Sequence, residues 1–251
     1  MNLRDFSTSL ARGLRVITAF DRDNDEMTLS EVARRSDMTR AAARRYLLTL
    51  CELGYVAGDG KYFRLTPRVL DLGFAFLTSM HIWDRAQPFM ERLTEQVNES
   101  CSISVLDGSD IVYVARVPTK RIMSVALGIG SRLPAYCTSM GRVLLASLRP
   151  AELDAYFEQA DFAALTPHTE TDPAALRAII AAVQRDGYAL VDQELEIGLR
   201  SLAVPIRNNS GRVLAAMNIS GHASRTTADD LRQRVLSPLL YAAEGIRSAL
   251  P

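Results

Sequence analysis

The chain has 251 residues and carries 29 basic and 29 acidic side chains, so its formal net charge is zero. This length is sufficient for two domains of ordinary size, and the neutral balance excludes the strongly basic composition of a protein that coats nucleic acid. The first residues are polar and no apolar run approaches the roughly 20 residues of a membrane span, so we expect neither a signal peptide nor contact with a membrane.

A first helix is predicted over Ser9–Phe20. Its apolar residues recur at helical spacing, and we expect them to pack beneath the elements that follow. These residues are Leu10, Leu14, Ile17 and Phe20.

Residues 28–52 have the pattern of two short helices joined by a tight turn. Thr28 and Glu31 match a Thr-x-x-Glu capping box, which predicts a helix that begins at Leu29. Thr39 is placed to cap the second helix with its hydroxyl. The apolar residues of that second helix share one face, which holds Ala43, Leu47 and Leu50.

The opposite face of the second predicted helix is basic. Arg40 and Arg44 lie four residues apart on it, with Arg45 beside them. Ala41 and Ala42 are small enough for the backbone to approach a DNA groove closely, and arginines in such a position contact guanine or phosphate. The segment is therefore interpreted as a recognition helix.

A β-hairpin is predicted directly downstream, over residues 55–65, with Asp59-Gly60 in its turn. Lys61 and Arg64 lie on or near its tip. A basic hairpin that follows a helix-turn-helix is the wing of a winged helix, which reaches the DNA backbone or the minor groove.

An isolated basic helix is as often a solvated surface as a DNA contact, but the order helix, turn, basic helix and basic hairpin favours DNA binding. Residues 1–70 hold 12 Lys and Arg against 9 Asp and Glu, a net of +3, and the remaining residues have a net of −3. We therefore predict a domain over residues 1–67 that binds a double-stranded DNA operator. Its predicted contacts are Thr28, Thr39, Arg40, Ala41, Ala42, Arg44, Arg45 and Lys61.

Residues 68–100 are predicted to form a helical linker. One helical segment opens at Pro67, with an apolar stripe, and a second runs from about Ile82 to Glu99. The linker is richer in aromatic residues than a solvated segment requires, with Phe74, Phe76 and Trp83. Packing onto their own domain is one reading. We favour a homodimer contact, since regulators of this kind read two half-sites.

From Cys101 onward the pattern changes to that of strands. A hairpin is predicted with strands over 102–106 and 111–115 around Asp107-Gly108, and a further strand over 122–127. Helices are expected over 139–148, 150–159 and 173–186, strands over 202–207 and 213–220, and a last helix over 228–250. Antiparallel strands with helices beside them predict an α+β sensor-like domain over residues 101–251.

With these elements in place, the sequence resembles the IclR family of bacterial transcription regulators along nearly its whole length. In the first domain the resemblance rests on Arg45-Tyr-Leu-Leu-Thr-Leu50 and Glu52-Leu-Gly-Tyr-Val56. In the second it rests on residues 132–146 (RLPAYCTSMGRVLLA), Gly187-Tyr188, Asp192-Gln-Glu194, Gly198-Leu-Arg-Ser201 and Asn218-Ile-Ser-Gly221. The resemblance implies an α+β chain with an N-terminal winged helix-turn-helix, a helical linker and a C-terminal GAF-like α/β effector-binding domain with an antiparallel sheet.

Several sequence segments are most similar to the branch of the family that regulates protocatechuate and 4-hydroxybenzoate catabolism. They are Thr39-Arg-Ala-Ala-Ala-Arg-Arg45, Val114-Ala-Arg-Val-Pro-Thr119, Arg121-Ile-Met-Ser-Val-Ala-Leu127 and Thr138-Ser-Met-Gly-Arg142. The branch implies a regulator of aromatic-acid catabolism in the β-ketoadipate pathway, controlled by a small aromatic or dicarboxylic acid. Protocatechuate, 4-hydroxybenzoate and β-ketoadipate are the candidates. A tetramer built from two dimers and a contact with RNA polymerase are left open.

The same resemblance implies an effector pocket. Ile122 and Met123 would form its apolar wall, and the helix start at Ser139, Met140 and Gly141 its anion end. Ser201, Asn218 and Ser220 would be polar anchors, and Asn218 stands where family members often carry a small residue or Ser.

The residues themselves favour a carboxylate site at this helix start. Thr138 or Ser139 caps a helix whose free N–H groups attract an anion, and Gly141 is expected to let the ligand approach the backbone. Strand alternation also places Asn218 and Ser220 on one face.

Catalysis is the competing interpretation. The chain has no Gly-x-Ser-x-Gly elbow, no His-Glu-x-x-His and no phosphate loop. Cys137 precedes a helix start, where a thiolate is favoured, so a cysteine nucleophile with His222 as its base is conceivable. A small, semi-buried cysteine is far commoner, and we predict that the chain is not an enzyme.

The three cysteines, Cys51, Cys101 and Cys137, lack metal-ligand spacing and are odd in number. We therefore expect no disulfide framework, no metal, no cofactor and a reducing cytoplasm. Two other classes stay open: an architectural DNA-binding protein without a ligand, and a regulator whose second domain senses an unrelated metabolite or only mediates oligomerisation.

Overall fold

The computed structural model describes residues 5–79, 82–119 and 127–250. The chain divides into two compact units, one over residues 1–80 and the other over residues 81–251. The linker expected over 68–100 is thus not separate, because its first helix belongs to the first unit and its second helix to the second. The predicted strand over 122–127 lies outside the described residues except for Leu127.

The helix-turn-helix begins where the sequence predicts. Helix α1 spans Thr8–Ile17, α2 Leu29–Arg35 and α3 Arg40–Glu52. Thr28 Oγ1 accepts the Glu31 N–H at 3.4 Å while the Glu31 carboxylate accepts the Thr28 N–H at 2.8 Å, which completes the capping box. Thr39 Oγ1 accepts the Ala42 N–H at 3.2 Å and caps α3.

A three-stranded antiparallel sheet completes the winged helix. Strand β1 spans Glu26–Thr28, β2 Val56–Gly58 and β3 Tyr62–Leu65, in the order β1-β3-β2. The Asp59 carboxylate accepts the N–H groups of Tyr62 and Lys61, each at 2.8 Å, and these hydrogen bonds lower the pKa of Asp59. Gly60 has a φ of 95°, which a residue with a side chain adopts only with strain. The hairpin is confirmed, with Lys61 exposed at its tip.

Helix α1 differs from the sequence prediction in the side that faces the core. Leu10 and Leu14 are 64% and 47% exposed, so the expectation that they pack beneath the following helices is wrong. Val16 is fully buried in their place and Phe20, beyond the end of the helix, joins the same core. The helix is rotated so that its Leu10–Leu14 stripe faces away from the core.

After a 3₁₀ turn over Pro67–Val69, helix α4 (Leu70–Ser79) ends the first unit. The second unit begins with α5 (Ile82–Val97), in which Trp83 is buried. Its strands are β4 Ser100–Asp107, β5 Asp110–Val117, β6 Arg132–Pro134, β7 Ala189–Asp192, β8 Leu199–Arg207 and β9 Val213–His222. Its remaining helices are α6 Ser139–Leu145, α7 Pro150–Gln159, α8 Pro173–Asp186 and α9 Ala228–Ala249.

The six strands of the second unit form one antiparallel sheet in the order β6-β5-β4-β9-β8-β7. Successive residues of β8, Leu202, Ala203 and Val204, are all fully buried, so the sheet is covered on both faces. Helix α6 packs over β4, β8 and β9, and α9 packs on β8 and α5. Within the described ranges, no helix is both long and apolar enough to cross a bilayer.

Gly141, in α6, is required by packing rather than by a ligand. A Cβ at this position would lie 2.1 Å from the carbonyl oxygen of Ala135, which no side chain tolerates. The expectation that Gly141 opens the backbone to a ligand is therefore wrong, because the segment before the helix fills that space.

We expect Gly141→Ala to destabilise the protein by about 1–3 kcal/mol or more in the absence of any ligand, because the backbone of residue 135 has to move. Thermal unfolding of the ligand-free protein measures this. Gly128→Ala is the matched control in the same unit, since an added Cβ there meets nothing within 4 Å. Equal melting of Gly141→Ala and the parent chain would contradict the packing argument.

Candidate functional site

The outer face of α3 presents three exposed arginines. Arg40 and Arg44 make no hydrogen bond or ion pair with the residues that the structure describes, so their guanidinium groups are available to a ligand. Arg45 is held differently, with its guanidinium carbon 5.5 Å from the centre of the Tyr46 ring. Interaction with the Arg45 guanidinium, and to a smaller extent with the Ser9 hydroxyl, lowers the pKa of the Tyr46 hydroxyl.

The other predicted DNA contacts divide into two groups. Ala41 is exposed on the same face of α3, and Lys61 projects from the wing, with its ammonium nitrogen 4.8 Å from the centre of the Tyr62 ring. The hydroxyls of Thr28 and Thr39 serve instead as helix caps, and Ala42 is half-buried against the core. The structure therefore assembles a basic helix face and a basic wing tip in one unit.

In the second unit, most of the predicted pocket residues meet around one small chamber of about 20 Å³. Ser139 and Met140 come from α6, Ser201 from β8, and Asn218 and Ser220 from β9. The remaining lining residues are Tyr113, Cys137, Thr138, Val191, Leu195 and Leu199. Gly141 does not line it, and Ile122 and Met123 lie outside the described residues.

A larger chamber of about 260 Å³ adjoins the small one. The two share Tyr113, Leu195, Leu199 and Ser220 in their linings, so we treat them as one cavity, called the effector cavity after the role proposed for it below. The additional lining residues of the larger chamber are Ser100, Ser102, Arg116, Leu127, Leu133 and Glu196.

None of these additional residues was predicted from the sequence. One signal was present, because Ser100, Ser102 and Ser104 alternate along β4 and therefore share one face of the sheet. Ser102 pairs with Arg116 on one neighbouring strand and with Asn218 on the other. A polar row thus crosses three strands on the floor of the effector cavity.

Arg116 is half-buried and makes no hydrogen bond or ion pair with any residue the structure describes. Beside it lies the Tyr113 hydroxyl, whose pKa is raised to about 12 by burial, an effect that the Arg116 charge partly offsets. Tyr113 therefore stays protonated at neutral pH. This wall of the cavity offers a cation and a hydroxyl donor, which are the groups that bind a carboxylate.

The opposite end of the effector cavity is polar but uncharged. Ser139 Oγ donates to Ser201 Oγ at 2.9 Å, and Thr138 Oγ1 accepts the Gly141 N–H at 3.2 Å. Asn218 Nδ2 donates to Ser220 Oγ at 3.0 Å. The helix start that was predicted to hold the anion thus has part of its hydrogen-bonding capacity used within the protein.

A buried ion pair holds the remaining wall. Arg142 Nη1 and Nη2 each lie 2.6 Å from an oxygen of Glu194, and Arg142 Nε donates to the Tyr136 carbonyl at 2.8 Å. Glu194 also accepts the Glu170 N–H at 3.0 Å. The pair ties α6 to the loop over residues 193–198, which supplies Leu195 and other residues to the cavity.

Cys137 does not have the environment of a nucleophile. Burial raises its pKa to about 12, so the expectation of a favoured thiolate is wrong. His222 Nδ1 lies 2.7 Å from Ser224 Oγ, and no hydrogen bond joins it to Cys137 among the described residues. Nor do the described ranges contain a group of His, Cys, Asp and Glu side chains that could hold a metal ion.

Comparison with known proteins agrees with this arrangement. Residues 9–60 match the IclR helix-turn-helix domain, and residues 74–248 match the C-terminal domain of the bacterial transcriptional regulator IclR. The Pca regulon regulatory protein of Pseudomonas putida is 49% identical over 95% of this chain and 82% of its own length.

Two solved structures are also similar. A transcriptional regulator from Rhodococcus sp. RHA1 is 55% identical with a TM-score of 0.86, and the match covers 98% of both chains. An IclR homologue from Microbacterium hydrocarbonoxydans, crystallised with 4-hydroxybenzoate, is 27% identical with a TM-score of 0.85 and covers 97% of this chain and 99% of its own.

These matches confirm the fold class and the prediction of a regulator rather than an enzyme. The chain belongs to the IclR family of DNA-binding bacterial transcription regulators.

Proposed function

We propose that this regulator controls genes of aromatic-acid catabolism and that a small acid of that pathway binds in the effector cavity. Arg116 carries this proposal, because a half-buried cation in the cavity wall, with no ion-pair partner among the described residues, is stabilised when an anion binds beside it. Binding to chromosomal DNA also fits the reducing cytoplasm, where the three cysteines remain free thiols.

The size of the cavity fits a small organic acid. A cavity of about 150 Å³ is sufficient to hold benzene, and the larger chamber alone has about 260 Å³. The names of the relatives support the same class, since one regulates the Pca regulon and another was crystallised with 4-hydroxybenzoate. Protocatechuate, 4-hydroxybenzoate and β-ketoadipate are therefore the ligands to test first.

We place the carboxylate at Arg116 and Tyr113 rather than at the start of α6. The guanidinium supplies a full charge and the tyrosine a protonated hydroxyl, whereas Ser139 and Thr138 already have partners within the protein. Ser139, Met140, Ser201, Asn218 and Ser220 then surround the other end of the ligand.

Replacing Arg116 with Gln should weaken binding of the preferred acid about tenfold or more, because the carboxylate loses a charge-assisted hydrogen bond. Arg116→Lys should retain more affinity than Arg116→Gln, since it keeps the charge. Isothermal calorimetry with the three acids measures both variants, with Arg185→Gln as an exposed control in the same unit.

Two results would decide against this site. If Arg116→Gln binds the acid as tightly as the parent chain, the anion lies elsewhere. If none of the three acids binds or raises the melting temperature, the second unit senses another metabolite or serves only in oligomerisation.

The recognition helix and the wing are proposed to bind the operator. Arg40→Ala, Arg44→Ala and Arg45→Ala should each weaken operator binding, by about 1–3 kcal/mol where the arginine reads guanine. Replacing an arginine that contacts phosphate would instead weaken binding to all DNA sequences alike and reduce the salt dependence of the affinity. Operator and random duplexes titrated at one salt concentration distinguish the two, and Arg185→Ala controls for loss of surface charge. Unchanged operator affinity in all three variants would rule out this face.

We also propose that the chain acts as a homodimer that pairs two winged helices on two half-sites, about 34–36 Å apart or a multiple of that spacing. Helix α4 supports this, because Leu70 and Phe74 are 72% and 65% exposed in the single chain. Trp83, which was expected to join the contact, is 7% exposed within its own unit and is therefore not available.

The double variant Leu70→Ser/Phe74→Ser should shift the protein from dimer toward monomer and lower its operator affinity, because the apolar face of α4 is no longer buried between protomers. Sedimentation velocity at micromolar concentration measures the shift. Leu165→Ser removes an exposed apolar side chain from the second unit and should leave the dimer intact. A parent chain that sediments as a monomer, with and without DNA, would contradict the proposal.

A further inference from the structure

Asn218 carries a buried hydrogen-bonding atom that has no partner among the described residues. The side chain is 3% exposed and lines the small chamber of the effector cavity. Its Nδ2 donates to Ser220 Oγ, but its Oδ1 accepts no hydrogen bond. A buried polar atom without a partner costs free energy that folding does not recover, so a ligand group is the natural partner here.

Other buried polar atoms without a partner lie outside this cavity. Among the described residues, these belong to Trp83, Thr94 and Tyr156, and none of the three lines either chamber. Of these buried atoms in the described ranges, Asn218 Oδ1 alone lines the effector cavity.

The register of the sheet places Asn218 opposite the proposed carboxylate anchor. Ser102, on β4, pairs with Arg116 on β5 and with Asn218 on β9. Because adjacent strands lie about 4.8 Å apart, the backbones at Arg116 and Asn218 are separated by about 10 Å. A ligand held between them has its carboxylate at one end and a different group at the other.

We propose that Asn218 selects acids that carry a second oxygen group at the end remote from the carboxylate, and discriminates against acids that lack one. This rests on the proposed function, since it assumes that an acid binds in the effector cavity. In the orientation seen here, Oδ1 accepts a hydrogen bond from a hydroxyl on the ligand.

The same residue can serve an oxygen that only accepts hydrogen bonds. The Ser220 hydroxyl can donate as well as accept, so a rotated amide would place Oδ1 against Ser220 and turn Nδ2 toward the ligand. Nδ2 would then donate to a keto oxygen or a second carboxylate. The shared requirement is a polar oxygen at the Asn218 end, and an apolar end would leave the buried amide without a partner in either orientation.

Matched pairs of acids test the proposal by calorimetry on the full chain. One pair is 4-hydroxybenzoate and benzoate, and the other is adipate and hexanoate, so each pair differs in the remote oxygen group. In at least one pair, we expect the acid with the second oxygen to bind about tenfold or more tightly, as for a buried hydrogen bond. The pair that discriminates identifies whether the ligand is a hydroxy acid or a dicarboxylate.

The variant Asn218→Leu removes the amide with little change in volume. It should bind both acids of that pair with about equal affinity. Ser104→Ala is the matched control, because Ser104 is buried on the same face of β4, donates to Met140 Sδ and lines neither chamber. It should leave the preference unchanged.

Equal binding within both pairs by the parent chain would overturn the proposal, and this result does not depend on any variant. A preference that persists in Asn218→Leu would also overturn it. These outcomes are distinct from failure of the proposed function, in which no acid binds the parent chain or Arg116→Gln has no effect.

Discussion

The second unit depends on the buried ion pair between Arg142 and Glu194. A charge removed from water is stable only if its partner and its remaining hydrogen bonds are supplied by the protein. Arg142 Nη1 and Nη2 both donate to the Glu194 carboxylate, and Arg142 Nε donates to the Tyr136 carbonyl. Because neither residue can move without leaving the other unpaired, the pair fixes α6 relative to the loop over residues 193–198.

This constraint explains why a cavity can persist in an otherwise packed interior. Helix α6 forms one wall and the loop forms another, and the tie between them prevents collapse onto the serine-rich floor. Gly141 has a related role, since it lets the backbone of Ala135 approach α6 closely. Within this frame Arg116, the Tyr113 hydroxyl and the Asn218 amide keep hydrogen-bonding capacity for a ligand, the first two for an anion and the third for a polar oxygen.

The first unit is organised by local hydrogen bonds instead. The capping box at Thr28, the cap at Thr39 and the Asp59 turn each join residues two or three positions apart. Such interactions set the ends of the short helices and the turn of the wing locally, while a shared core that includes Val16, Leu47 and Phe63 packs these elements together. The arginines of α3 then project from a scaffold whose geometry is set close to them in sequence, which suits a surface that must match the fixed geometry of a DNA groove.

The sequence by itself determined the helix-turn-helix, the wing, most helices of the second unit and the shared face of Asn218 and Ser220, because capping, turn chemistry and periodicity act between near neighbours. Tertiary structure decided what depends on distant partners. It buried Trp83, exposed Leu10 and Leu14, and assigned Gly141 to packing against Ala135. It also brought Arg116 and Ser102 into the cavity, since pairing of strands far apart in the chain sets which side chains meet. Charge and burial at those positions follow from three-dimensional neighbours, which periodicity along the chain does not encode.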